Sequence, residues 1–149
     1  MRPRKSLRIA LILFLLIVAS VGVFYGYMHL REFQRVGDAE LAFRPILPLG
    51  CRIHAQPVAL HRYCHYVVEF PPDCLLTDIT AKDLRSLNRL PQHNTLDVTI
   101  HTRKLTNESL PYLKAVRTFD LLDVTQTSIS DDGIQELRQT FPDCVIPTR

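Results

Sequence analysis

An internal repeat constrains the fold of this chain more than any other feature of its sequence. The tetrapeptide Leu-Asp-Val-Thr occurs at residues 96–99 and again, 26 residues later, at residues 122–125. Each copy is followed by an apolar residue, a hydroxyl residue and then apolar residues at helical spacing, and this second part also stands earlier, at Ile79 and Thr80. A period of about 25 residues is typical of repeat architectures, in which units too small to bury their own apolar face stack on one another.

Each unit predicts one strand followed by one helix. The alternation in the tetrapeptide turns Leu and Val to one side of a strand and Asp and Thr to the other. Thr80, Thr106 and Ser130 are placed as N-caps, and acidic residues follow in the first helical turn, where the helix dipole favours an anion. Because such units must stack side by side, their strands are expected to be parallel.

The last unit resembles the leucine-rich-repeat family, in its short bacterial subtype with an I-T-D-x-G-L signature. The residues that carry the resemblance are Phe119, Leu122, Val124, Thr127, Ile129, Ser130, Asp131, Gly133, Ile134 and Leu137. The likeness covers residues 68–146, and residues 141–146 resemble the terminal strand of such arrays. The resemblance implies an α/β fold, a short solenoid of about three strand–helix units with parallel strands.

The N-terminal segment predicts a transmembrane helix. Residues 9–28 carry no charge, and at about 1.5 Å per residue they would span about 30 Å of hydrocarbon. The basic residues Arg2, Arg4, Lys5 and Arg8 precede this span, which favours a cytoplasmic N-terminus and an exported C-terminal domain. A cleaved signal peptide, with a small-residue site near residues 18–20, is the alternative.

These observations divide the chain into a sequence of segments. The predicted order is a cytoplasmic basic tail (1–8), the membrane helix (9–28), a stalk (29–49) and an exported domain (50–149), made of capping strands (50–70) and leucine-rich repeats (71–149).

The N-terminal position of the four basic residues also argues against nucleic-acid binding. Of the 18 basic and 15 acidic residues, 14 basic and all 15 acidic ones lie after residue 28, so that part has a net charge of 14 − 15 = −1.

A cluster of cysteine and histidine residues leaves several interpretations open. Cys51 and His54 face His61 and Cys64 across a predicted hairpin, which suits a tetrahedral zinc site. A Cys51–Cys64 disulfide with surface histidines explains the same residues, as do free thiols. Together with Cys74 and Cys144 these cysteines permit three full pairings, among which the sequence does not choose.

The outward positions of the predicted strands define a candidate binding face. Its residues are Thr95, Asp97, Thr99, Leu121, Asp123 and Thr125. Asp97 and Asp123 are expected to lie about 5 Å apart on neighbouring strands, an arrangement that suits a basic partner. The alternative is that Asp is the residue this family habitually carries there.

The sequence therefore predicts a membrane-anchored, non-catalytic leucine-rich-repeat module that binds a protein or an envelope polymer. It contains no catalytic constellation and no motif that implies a cofactor. Because three units are close to the minimum for a stable solenoid, pairing with a second copy of the chain would stabilise it. The alternative function is a small exported metal-binding or redox protein that uses the Cys/His hairpin.

Overall fold

The computed structural model describes residues 4–58, 63–117 and 119–148. The chain divides into two compact units, Met1–Gly37 and Asp38–Arg149. Helix α1 runs Arg4–Phe43, so its last part belongs to the second unit. Phe43 and Leu49 lie in the core of that unit, although both fall in the segment predicted as a stalk.

The prediction of a membrane span is corrected by the structure. Among the residues that the structure describes, no helix combines the length and the apolar character that crossing a membrane requires. Residues 9–28 lie within α1, which continues without a break past Met28 into the charged segment that contains Asp38 and Glu40. The single-pass topology, with a cytoplasmic N-terminus and an exported C-terminal domain, is corrected with it.

The second unit is built on one four-stranded mixed sheet. Its strands are β1 (Arg52–Val58), β2 (Tyr63–Phe70), β3 (Thr95–Ile100) and β4 (Leu121–Asp123), and their spatial order is the order in the chain. β1 and β2 form an antiparallel hairpin, as the segment at 50–70 predicted. β2, β3 and β4 are mutually parallel, which confirms the predicted direction of the two repeat strands.

The prediction of a solenoid of equivalent units is wrong. Paired residues on β2 and β3 are 30 positions apart, as in Val67 and Asp97, whereas those on β3 and β4 are 24 apart, as in Asp97 and Leu121. The helical segments also differ: a 3₁₀ helix (Thr80–Arg89), a 3₁₀ turn (Asn107–Ser109) continued by α2 (Leu110–Leu113), and α3 (Asp131–Thr140). These unequal connections mean that successive units are not equivalent. The sheet is mixed because β1 pairs antiparallel with β2 at its edge.

Two of the three predicted helix caps are confirmed. The Thr106 hydroxyl accepts a hydrogen bond from the Glu108 N–H (3.3 Å), and the Ser130 hydroxyl accepts one from the Gly133 N–H (3.2 Å). Thr80 is instead the first residue of its 3₁₀ helix, and its hydroxyl accepts from the Thr77 N–H at 2.8 Å. The unit nearest to the sheet's hairpin therefore departs most from the predicted pattern.

The core lies between one face of the sheet and the helical segments. The strand residues that form it are Tyr66, Val68, Phe70, Leu96, Val98, Ile100 and Leu122. Leu84, Leu113 and Leu137 of the helical segments cover them and are fully buried. Since successive strand residues point to opposite faces, the alternate residues of β2, β3 and β4 are left on the outer face of the sheet.

Candidate functional site

The six residues predicted as a binding face do lie on the outer face of the parallel strands or directly after it. Thr95, Asp97 and Thr99 alternate with buried residues along β3, and Leu121 and Asp123 do so along β4. Thr125 follows the end of β4, and all six are half-buried. We refer to the outward residues of β2, β3 and β4, together with Thr125, as the polar face.

β2 contributes three residues to the polar face that are not part of the predicted binding face. His65, Val67 and Glu69 alternate with the buried residues of β2 and lie beside Thr95, Asp97 and Thr99 in the parallel register. The sequence pattern that indicates their outward position is the alternation along β2, because residues 66, 68 and 70 are apolar and face the core. Because β2 was predicted only as a capping strand, its outer face was not part of the predicted binding face.

Asp97 lies at the centre of the polar face. Its carboxylate Oδ2 is 3.2 Å from His65 Nε2, and the other ring nitrogen of His65 lies 2.7 Å from the Thr95 hydroxyl oxygen. The side chains of Asp97 and His65 keep 25% and 28% exposure, respectively, so both remain accessible to a partner. In the register, Asp97 lies between two apolar residues, Val67 on β2 and Leu121 on β4.

The expected pairing of Asp97 with Asp123 is wrong. Asp97 lies opposite Leu121, and Asp123 lies opposite Thr99, so the two repeated tetrapeptides are offset by two residues. The offset follows the spacing of the caps, because Thr106 and Ser130 are 24 residues apart, as are the paired residues of β3 and β4. The mild repulsion expected between neighbouring aspartates is therefore not a feature of this face.

Asp123 has a structural contact in addition to its place on the face. Its Oδ1 accepts hydrogen bonds from the Thr125 N–H (2.9 Å) and the Thr125 hydroxyl (2.7 Å), which closes the turn at the end of β4. On the other side of the face, Glu69 Oε1 lies 4.0 Å from His101 Nε2. In the register, Glu69 and Asp123 lie on either side of Thr99, and Asp97 lies two residues before Thr99 on β3, so the three carboxylates have different environments.

The hairpin does not bring together Cys51 and Cys64, which are the predicted disulfide pair and two of the four predicted metal ligands. Cys64 pairs with Pro57 at one end of the hairpin, whereas Cys51 immediately precedes Arg52 at the other end. Six residues of strand separate the two levels, which is about 20 Å, and a disulfide needs Cα atoms within about 7 Å. His61 lies outside the described residues. Within the described part of the chain, the four cysteines are free and no group of three or more metal-ligating side chains occurs.

Two half-buried thiols, those of Cys51 and Cys144, have raised pKa values. The Cys51 Sγ lies 3.4 Å from the Ile46 carbonyl oxygen, and burial raises the pKa of this thiol. Burial, together with the negative charges of Asp120 and Asp97, raises the pKa of the Cys144 thiol to about 11. A raised pKa disfavours the thiolate, so neither residue is activated as a nucleophile.

A cleft that the sequence did not predict opens at the carboxyl ends of the parallel strands. Its volume is about 700 Å³. The loop after β3 supplies His101, Thr102, Arg103 and Lys104, and the segment after β4 supplies Thr125 and Gln126. The crevice outside the carboxyl ends of parallel strands is where open α/β sheets bind ligands. The cleft adjoins the polar face, since Thr125 belongs to both.

Comparisons with models of protein families, with curated proteins and with solved structures find no match to this chain. The resemblance of the last unit to leucine-rich repeats therefore stays a prediction from its residues.

Proposed function

We propose that this chain is a non-catalytic interaction module that binds a basic segment of a protein partner on the polar face. The observation that carries the proposal is the environment of Asp97. This carboxylate lies at the centre of the face, keeps a quarter of its side-chain surface exposed, and lies between the apolar residues Val67 and Leu121.

An acidic group between apolar neighbours suits the side chain of Lys or Arg. Such a side chain packs an apolar stem and presents a cationic end group, so it can cover Val67 or Leu121 while its charge meets Asp97. Glu69 and Asp123 lie one step further along the strands and supply two more carboxylates on the same face. The spacing of outward residues, about 6.6 Å on a strand, matches alternate residues of an extended peptide.

The contacts of the carboxylates favour recognition over catalysis. His65 is held between Asp97 and the Thr95 hydroxyl, and a threonine, a histidine and an aspartate in contact could in principle form a nucleophile and base. The Thr95 hydroxyl lies at the amino end of β3, whereas the cleft lies beyond the opposite, carboxyl end of the strands. A smaller cavity of about 290 Å³, lined by Asn94 and Leu96, lies at the amino end, but neither Thr95 nor His65 lines it or the cleft. The contacts of these two residues therefore favour a role in orienting Asp97.

The proposal is tested with the full chain and a fluorescent peptide of alternating Arg and Ser, with binding followed by fluorescence anisotropy. Asp97→Asn is expected to weaken binding by about 3- to 5-fold, since a partly exposed ion pair contributes up to about 1 kcal/mol. The double reversal Asp97→Lys, Asp123→Lys is expected to abolish it. Asp132→Asn is the matched control, because Asp132 is an exposed aspartate on α3, away from the sheet face.

Two results would contradict the proposal. One is equal loss of binding in Asp97→Asn and Asp132→Asn, which would reflect net charge alone. The other is unchanged binding in the double reversal, which would remove the polar face from the interaction. A peptide of alternating Glu and Ser serves as the charge control and is expected not to bind.

A further inference from the structure

The cleft at the carboxyl ends of the strands carries a positive charge that the ion pairs of the described residues do not neutralise. Arg103 and Lys104 line it together with His101, and none of the described residues that line it is acidic. The ion pairs found among the described residues join His65 to Asp97, His101 to Glu69, and Lys114 to Glu136, so they involve neither Arg103 nor Lys104. Two cations thus face a concave surface whose described lining residues include no carboxylate.

The loop that presents these cations is held by contacts on both sides. The His101 N–H donates to the Phe70 carbonyl oxygen (2.8 Å), and the Ser128 hydroxyl donates to the Arg103 carbonyl oxygen (2.7 Å). The Lys104 ammonium donates to the Cys74 carbonyl oxygen at 3.1 Å, which uses one of its three N–H groups. A loop held in this way has little conformational entropy to lose when a ligand binds.

Hydroxyl groups extend the set of donors in the cleft. Thr102 is buried, and its hydroxyl oxygen accepts a hydrogen bond from the Lys104 N–H at 3.3 Å. A hydroxyl that accepts in this way still has a proton to donate. A guanidinium, an ammonium and a hydroxyl together match the oxygens of a tetrahedral oxyanion, which Arg binds with two parallel hydrogen bonds.

We propose that the cleft between the loops after β3 and β4 binds the phosphate group of a small phosphorylated molecule, with Arg103 and Lys104 as the principal contacts. Its volume of about 700 Å³ falls within the range of small-molecule sites, so there is room for an organic part beside the phosphate. This site is independent of the protein interaction proposed for the polar face, because its principal contacts, Arg103 and Lys104, carry the opposite charge and lie outside that face.

The test is isothermal titration calorimetry of the full chain with inorganic phosphate, at constant ionic strength set with sodium chloride. The unmodified chain is expected to bind phosphate, Arg103→Gln to bind at least 5-fold more weakly, and Arg103→Gln, Lys104→Gln to show no binding. Lys82→Gln is the matched control, because Lys82 is exposed on the 3₁₀ helix Thr80–Arg89 and does not line the cleft. Its affinity is expected to equal that of the unmodified chain.

Sulfate and acetate titrations separate a tetrahedral oxyanion site from general anion attraction. Sulfate is expected to bind in place of phosphate and acetate to bind much more weakly. Absence of phosphate binding to the unmodified chain, an equal loss in Lys82→Gln, or acetate binding as strong as phosphate binding would each overturn the proposal. Because Lys104 also contacts the Cys74 carbonyl oxygen, the single variant Arg103→Gln decides the outcome if the double variant fails to fold.

Discussion

Replacement of Gly133 by Ala is expected to destabilise the second unit, although Ala is the better helix former. Gly133 lies in the first turn of α3, where the substitution would by helix propensity add at most about 1 kcal/mol of stability. The new Cβ would, however, lie 2.7 Å from Asn107 Oδ1 and 2.8 Å from Ile129 Cγ2. Both distances are shorter than a carbon atom tolerates, so one neighbour must move.

Neither neighbour can move freely. Ile129 is fully buried, and its Cγ2 is attached directly to Cβ, which leaves one strongly restricted rotamer. Asn107 Oδ1 accepts the hydrogen bond of the Ser130 N–H at 2.9 Å, and its amide donates to the Ser130 hydroxyl. Overpacking costs about 1–3 kcal/mol and a lost hydrogen bond about 1 kcal/mol, so after the propensity gain of about 1 kcal/mol the net loss is about 1–3 kcal/mol.

The assay is urea unfolding of the full chain followed by circular dichroism. Gln135→Ala is the matched control, because Gln135 is exposed on the same helix and its replacement is expected to change stability by less than about 0.5 kcal/mol. A Gly133→Ala variant that is as stable as the unmodified chain, or more stable, would refute the packing argument. That result would mean that α3 can shift away from Asn107 at little cost.

Three further outcomes follow from the structure. Alkylation of Cys144 is expected to be slow at pH 8 and to accelerate until the pH reaches about 11, the pKa of this thiol in the fold; a rate that levels off near pH 9 would contradict this. Because the fold raises this pKa from 9.0, the stability that the neutral thiol contributes is complete below pH 9.0 and is lost as the pH approaches 11. Peptide mapping without reductant is expected to show no disulfide between Cys51 and Cys64, and finding one would refute the hairpin register. Asp120→Ala is expected to lower stability by about 1–2 kcal/mol in urea unfolding, since Asp120 Oδ2 accepts from the Leu96 N–H at 2.6 Å; an unchanged midpoint would show that water replaces the carboxylate.

Local patterns in the sequence predicted the features that depend on neighbouring residues alone. The alternation at 95–100 placed Thr95, Asp97 and Thr99 on the outer face of β3, and the structure confirms it. The hydroxyls of Thr106 and Ser130 were recognisable as caps because an N-cap bonds to a backbone N–H only two or three residues away. In each case the interacting groups lie within one turn or one strand.

The cleft and the centre of the polar face were not predictable in the same way. Arg103 and Gln126 line one cleft although 23 positions separate them, and the position of His65 beside Thr95 depends on a pairing across 30 positions. An identical tetrapeptide on two strands indicated the wrong register, because the strands pair at the 24-residue spacing of the caps Thr106 and Ser130 and not at the 26-residue spacing of the tetrapeptides. Identical residues on two strands therefore do not by themselves predict which residues pair between those strands.

The sequence by itself determined which side chains face outward on β3 and β4, that these strands are parallel, and where two of the helical segments begin. Only the tertiary structure decided that the strands form one mixed sheet with an antiparallel edge, that Asp97 lies between Val67 and Leu121, and that a basic cleft forms beyond β3 and β4. The reason is physical: side-chain direction follows from the local backbone geometry, whereas register and cavity shape follow from hydrogen bonds and packing between segments distant in the chain.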